Sequence, residues 1–196
     1  MTTTPSVHCA KWGGDDIFAE KYRNNNTCIV QLANCIALNP RGLVKNITET
    51  FGEAYNPYRR REKMNNVSTN LPLATLPTRD ELGSVKLYRG CPNIINFYTQ
   101  YVDDQEREKY TNKTFVDTMD HSFQINIKKD SDSDRLKYFK NCLKLLSQLL
   151  AEKSNSHIHC LLFPYNCESN LNKYFCEIVD FTANLPHHID VYILPR

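Results

Sequence analysis

The sequence predicts an α/β protein, a three-layer α/β/α sandwich whose helices cover a mixed, mostly parallel sheet. Three observations predict it. Short runs rich in β-branched and aromatic residues alternate with amphipathic helical repeats, in the order β-α-β-β-α-β-α-β. The segment Cys28–Phe51 joins an apolar run, a polar turn and an amphipathic helix, the arrangement that such proteins use to hold an anionic ligand at the carboxyl end of a sheet. Residues 134–151 carry the clearest helical repeat of the chain.

Taken in order, residues 1–11 read as a short flexible lead and 12–196 as one domain. Trp12 to Phe18 reads as a turn into a short strand or helix, and Asn24-Asn25-Asn26 as a polar turn before the first central strand. That strand covers 28–34: Cys28-Ile29-Val30-Gln31-Leu32-Ala33 is apolar, and the amide of Asn34 closes it. The chain turns through Asn39-Pro40-Arg41-Gly42 into a helix over 43–51, with Leu43, Ile47 and Phe51 on one face and Gly52 as its C-cap.

Residues 56–82 read as loop, with Pro57, Pro72, Pro77 and the basic run Arg59-Arg60-Arg61. Strands follow at 84–88 and 94–101. The polar connection 102–134 is long for a compact domain, so a short element near 110–123 or a lid over a site is expected within it. In the helix 134–151, Leu136, Phe139, Leu143, Leu146 and Leu150 form the apolar stripe, with Ser131, Asp132 or Ser133 as cap. A strand at 158–163, a helix marked by Leu171, Tyr174, Phe175, Ile178 and Phe181, and a strand at 189–194 complete the series.

The net charge of +2 argues against a dedicated nucleic-acid binder, which needs a strong basic excess. No segment approaches the ~20 consecutive apolar residues of a membrane-spanning helix. The first residues, Met1-Thr2-Thr3-Thr4-Pro5-Ser6, show no secretory signal, and Cys28, Cys35, Cys142 and Cys160 lie in or beside apolar runs. A reducing, cytoplasmic or nucleocytoplasmic setting is therefore expected.

Five segments, in order along the chain, resemble the macro domain, the ADP-ribose-binding fold, in the branch found in phages, large DNA viruses and some microbes. Gly14-Asp15-Asp16-Ile17-Phe18 is similar to its opening "GDIF". Cys28–Cys35 followed by Pro40-Arg41-Gly42-Leu43 is similar to its strand ending in "NC" and its "P-x-GL" turn. Tyr58-Arg59-Arg60 resembles "Y-x-R", and Asp134–Lys140 resembles its "R-x-x-W/Y-F-K" helix. Phe163-Pro164-Tyr165, then Leu171 to Tyr174, resembles "FPY" followed by "W-x-x-Y".

The resemblance implies a crevice for ADP-ribose or a related nucleotide, with a host protein as a further partner if the chain acts against host signalling. Asn34 and Cys35 would face the distal ribose, Arg41, Gly42 and Leu43 would flank ribose and phosphates, and Phe163, Pro164, Tyr165, Asn166, Cys167 and Ser169 would cradle the diphosphate. Asp16, Ile17 and Thr27 would lie on the adenine side. Active members cleave ADP-ribose from a protein or a phosphate.

The family's glycine-rich run after "FPY" is replaced here by Asn166-Cys167-Glu168-Ser169-Asn170, and all six glycines of the chain lie at or before Gly90. A cradle of converging N–H groups generally needs backbone angles that glycine takes cheaply, and Glu168 adds negative charge beside a diphosphate. Weakened or lost catalysis is the expectation, with no catalytic residue assigned.

Each candidate also has a plainer reading. Asn34 either orients a ribose or pairs with backbone at a strand end. Arg59–Arg61 either binds phosphate or RNA or forms a solvated loop. His157, His159, Cys160, Cys167 and Cys176 do not match a usual zinc spacing, so no metal is expected, and no cofactor. His187 and His188 read as exposed. Asp103, Asp104, Asp130, Asp132 and Asp134 read as solvated loop and cap residues rather than acid–base pairs.

Overall fold

A computed structural model describes residues 10–64, 73–110, 114–116, 124–126, 130–165, 174–186 and 188–195. Its strands are β1 (Lys11–Trp12), β2 (Thr27–Asn34), β3 (Val85–Tyr88), β4 (Asn93–Gln100), β5 (Thr114–Val116), β6 (Gln124–Asn126), β7 (Cys160–Tyr165) and β8 (Asp190–Pro195). Its helices are α1 (Gly42–Phe51), α2 (Asp104–Tyr110), α3 (Asp132–Ala151) and α4 (Phe175–Ala183).

Six strands form one sheet in the order β1-β8-β7-β2-β4-β3. The pairs β1–β8, β7–β8 and β2–β7 are parallel. β4 runs parallel to β2 as well: the Asn93 amide donates to Thr27 O (3.1 Å) at one end, and Cys35 N donates to Gln100 O (2.9 Å) at the other. β3 is antiparallel to β4, with Tyr98 N bonded to Ser84 O and Gly83 N to Tyr98 O. The sheet is mixed and mostly parallel, as its apolar strands predict.

The polar connection after β4 is not bare loop. It holds α2 and a separate antiparallel hairpin, β5–β6, with Phe115 opposite Ile125. Lys11, at the end of the segment read as a lead, is already in β1.

The chain divides into two compact units. The first contains residues 1–31, 87–95 and 143–196; Phe163 meets Phe181 edge to face in it (6.3 Å), and Ile17, Ile29, Ile178 and Val191 are among its buried residues. Trp12 stays exposed and stacks at a tilt on Phe175 (5.3 Å). The second contains residues 32–86 and 96–142. Its core gathers Ala33, Cys35, Ile36, Val44, Tyr58, Met64, Leu73, Tyr98, Val102 and Tyr110.

Two helices depart from the expected stripes. In α1, Val44, Ile47 and Thr48 are the buried residues, while Leu43 and Phe51 are half-buried. Gly52 ends the helix with φ +106°, and its N–H donates to Thr48 O (2.9 Å). In α3, Ser131 is the cap: its Oγ accepts from Asp134 N (3.2 Å) and its carbonyl from Arg135 N (2.9 Å). The buried face of α3 begins at Arg135 rather than Leu136 and continues through Phe139, Cys142, Leu143, Leu146 and Leu150.

Burial also sets the state of the cysteines. It pushes the Cys142 thiol from 9.0 up to about 12 and the Cys160 thiol up to about 11, and it raises Cys28 further. Cys142 Sγ donates to Ser84 O (3.3 Å), a bond that ionisation removes. The folded chain therefore holds these protons more tightly than the unfolded chain, whose thiols keep the ordinary value of 9.0. Stability is full below that pH and falls as pH rises toward the folded values, by about 1.4 kcal/mol per pH unit for each such thiol. Urea unfolding is expected to show a lower midpoint at pH 10 than at pH 8, and an unchanged midpoint would contradict the assignment.

Candidate functional site

Asn34 is the last residue of β2, and it is 3% exposed. A buried amide must satisfy both its donor and its acceptor, and four partners within the second unit do so. Its backbone N–H donates to Tyr58 Oη (2.8 Å), and its carbonyl accepts from Arg61 Nη2 (2.6 Å). Its side-chain Nδ2 donates to Asp103 Oδ1 (2.8 Å), and its Oδ1 accepts from Gln100 Nε2 (2.7 Å).

The amide orientations in this chain are forced. Arg135 can only donate, so the Gln100 atom 2.9 Å from Arg135 Nη1 is the oxygen, Oε1. Gln100 must then offer its NH2 to Asn34, which presents Oδ1 there and turns Nδ2 toward Asp103. An ionised carboxylate only accepts, so the far end of the chain requires the same orientation as the near end.

The anchor is the ion pair between Arg135 and Asp130, whose side chains are each 2% exposed. Arg135 Nε donates to Asp130 Oδ1 (2.8 Å) and Nη2 to Asp130 Oδ2 (2.7 Å), the two-pronged geometry that suits guanidinium and carboxylate. Nη2 also donates to Val102 O (3.2 Å). Asp130 is thus a buried counter-charge, not the solvated loop residue its surroundings in sequence predict.

A second network grips the other side of Asn34. The Arg61 guanidinium lies over the Tyr58 ring (4.2 Å), donates to Ala37 O (2.6 Å) and pairs with Asp80. Asp80 also takes Lys86. Arg61 and Asp80 side chains are each 2% exposed, which corrects the reading of Arg59–Arg61 as one solvated run; only Arg59 and Arg60 are exposed. Burial raises the Tyr58 hydroxyl, which stays protonated.

The other predicted site residues are placed as follows. Cys35 is buried in the core, and burial raises its thiol well above the usual range, so it offers no ready thiolate. Arg41 precedes α1 and pairs with Glu106 (2.9 Å). Gly42 opens α1 at φ +51°, an angle that favours glycine, and no side chain caps this helix start. Leu43 is half-buried.

Phe163 and Pro164 are buried in β7, opposite Ile193 and Leu194 of β8, and Tyr165 ends β7 opposite Pro195. Asn166, Cys167 and Ser169 lie outside the described residues, as do Glu168, Leu171 and His187. Asp16 is exposed and its carboxylate accepts from Phe18 N (2.9 Å), whereas Ile17 is core. Thr27 is 2% exposed and bonded to Asn24 (3.1 Å). It opens the eight-residue strand that Asn34 closes.

Asp103 and Asp130 read in the sequence as solvated residues rather than acid–base pairs, Arg135 stands only within the Asp134–Lys140 resemblance, and Gln100 carries no sequence signal. An arginine at the head of a leucine-rich stripe is the sequence signal for the buried pair, because burial demands an acid partner. Among the described residues no group of three or more His, Cys, Asp or Glu gathers to hold a metal. His159 and His188 meet ring to ring (5.7 Å).

No protein-family model and no curated protein matches the sequence. Among solved structures, the chain is similar to the macrodomain of Thermus aquaticus DarG, with a TM-score of 0.54 over 95% of this chain and 96% of that one, at 13% identity. The fold is that of a macro domain. The sandwich and the macro resemblance inferred from sequence therefore stand, although nearly all side chains differ between the two proteins.

In this macro fold, the ion pair on α3 carries the amide chain. Replacing Arg135 with Met leaves Asp130 buried without its counter-charge and is expected to cost about 3–5 kcal/mol. The double variant Arg135→Met/Asp130→Leu removes both charges and should recover much of that loss. Denaturant midpoints of the three proteins check it; a single variant within ~1 kcal/mol of the parent would remove the pair from its anchoring role.

Proposed function

We propose that this chain binds ADP-ribose, or a related nucleotide, at the carboxyl end of β2, with catalysis weakened or lost. The observation that carries the reading is the Asn34 carboxamide. It stands at the carboxyl end of a central parallel strand, where open α/β sheets take ligands, and its orientation is fixed before any ligand arrives. The uncapped start of α1, opened by Gly42, supplies N–H groups and a positive dipole end suited to an anion.

Two features favour binding over turnover. The Cys35 thiol, next to Asn34, is held protonated by burial. The sequence after Tyr165 has no glycine and includes Glu168, chemistry poorly matched to a diphosphate cradle that must stabilise developing charge. With a net charge of +2, the chain lacks the basic excess of a general nucleic-acid binder. No helix among the described residues is long and apolar enough to cross a membrane.

Calorimetry with ADP-ribose tests the reading. The parent protein is expected to bind, and Asn34→Ala to lose at least tenfold in affinity. Incubation with an ADP-ribosylated protein should release little or no ADP-ribose. Rapid release would replace the binding module with an active hydrolase, and absence of binding would leave a protein-interaction role in its place.

A further inference from the structure

We infer that Gln100 is a positioning residue for the ligand: held by the buried Arg135, it sets which way round the Asn34 carboxamide meets a bound nucleotide. The inference rests on the nucleotide-binding reading above and adds a residue that acts through Asn34 rather than on the ligand.

An amide side chain is nearly symmetrical in shape and opposite in chemistry at its two ends. Turned by half a revolution about its last bond, the Asn34 carboxamide fills the same space with NH2 and oxygen exchanged. Packing does not tell these settings apart, whereas a ligand bonded to the amide does. The choice falls to hydrogen-bond partners.

Gln100 is placed to make that choice. It ends β4, the neighbour of β2 in the sheet, as Asn34 ends β2. Its Nε2 donates to Asn34 Oδ1 (2.7 Å), and its Oε1 accepts from Arg135 Nη1 (2.9 Å). Gln100 cannot itself turn over without setting its NH2 against a group that only donates. Nor can the guanidinium swing away, because Asp130 holds it at two points (2.8 and 2.7 Å). Asn34, Asp130 and Arg135 are buried and Gln100 is half-buried, and all four belong to the second unit.

The far end of the Asn34 amide agrees with this setting. Its Nδ2 donates to Asp103 Oδ1 (2.8 Å). With the amide turned over, its oxygen would face the carboxylate and its NH2 would face the NH2 of Gln100. Both bonds would be lost together, at a side chain 3% exposed, where unmet hydrogen-bonding groups are costly. Gripped at both ends, the amide presents one face to a ligand in every molecule, and supporting bonds of this kind keep a binding group within its productive geometry.

Two variants of the full chain test this, with ADP-ribose as the calorimetric probe and urea midpoints measured alongside. Gln100→Met keeps the length of the side chain and removes both bonds; affinity for ADP-ribose should fall at least fivefold. Gln100→Glu/Asp103→Asn keeps the net charge and reverses the chain: the new glutamate accepts from Arg135 and from the Asn34 NH2, and the new asparagine donates to the Asn34 oxygen. This double variant should recover most of the midpoint lost in Gln100→Glu alone, yet bind ADP-ribose at least fivefold more weakly than the parent, because its Asn34 amide is turned over. Affinity that returns together with the midpoint would reduce Gln100 to a structural role and overturn the inference, as would a smaller fall in Gln100→Met; each variant serves if the other does not fold. Affinity lost in Asn34→Ala but kept in both of these variants would overturn the positioning role and leave the binding reading intact. A parent protein that does not bind ADP-ribose would remove the binding reading itself, and this inference with it.

Discussion

The burial of one guanidinium governs the second unit of this molecule. Arg135 sits on the core face of α3, where transfer of a charge from water is expensive unless it is paired and its remaining N–H groups are bonded. Asp130 supplies the charge, Val102 O and Gln100 Oε1 the remaining acceptors. Because arginine has no acceptor of its own, the direction of every bond downstream follows from it. A requirement of the core is transmitted to Asn34 and Asp103 through two amide side chains.

The Arg61–Asp80 pair plays the complementary part. It holds the backbone of Asn34 and Ala37 while Tyr58 holds the Asn34 N–H. Asn34 is thus bonded through main chain and side chain to four residues from two separate segments, 58–61 and 100–103. Such over-determination suits a binding group whose ordering cost has been met in folding rather than at the moment of association.

Fold and chemistry separate clearly in this chain. A macro architecture persists at 13% identity to the macrodomain of Thermus aquaticus DarG, because a parallel sheet under helices needs apolar periodicity rather than particular residues. What a site built on that architecture does depends on a few polar groups, and those are what differ between relatives. Here the polar groups proposed to take the ligand are the Asn34 carboxamide and the start of α1.

The strands, the helices and the sandwich were legible in the sequence because their signal is local: apolar runs such as Cys28–Ala33, the leucine repeat of α3, and Gly52 at the end of α1. Asn34 was legible as well, since it ends the first such run. Its partners were not. Asp103, Gln100 and Arg135 are polar residues whose roles depend on contacts between distant segments, and no periodicity marks them. Asp130 and Arg61 read as solvent-facing for the same reason, within polar or basic runs. Short α2 and the β5–β6 hairpin lay inside a stretch too polar to show a repeat. The sequence by itself determined the alternation of elements and the sandwich, because burial of apolar faces repeats every two or 3.6 residues. Only the tertiary structure decided which polar groups are buried together and which way their hydrogen bonds point, because that pairing is set by the geometry of the folded chain.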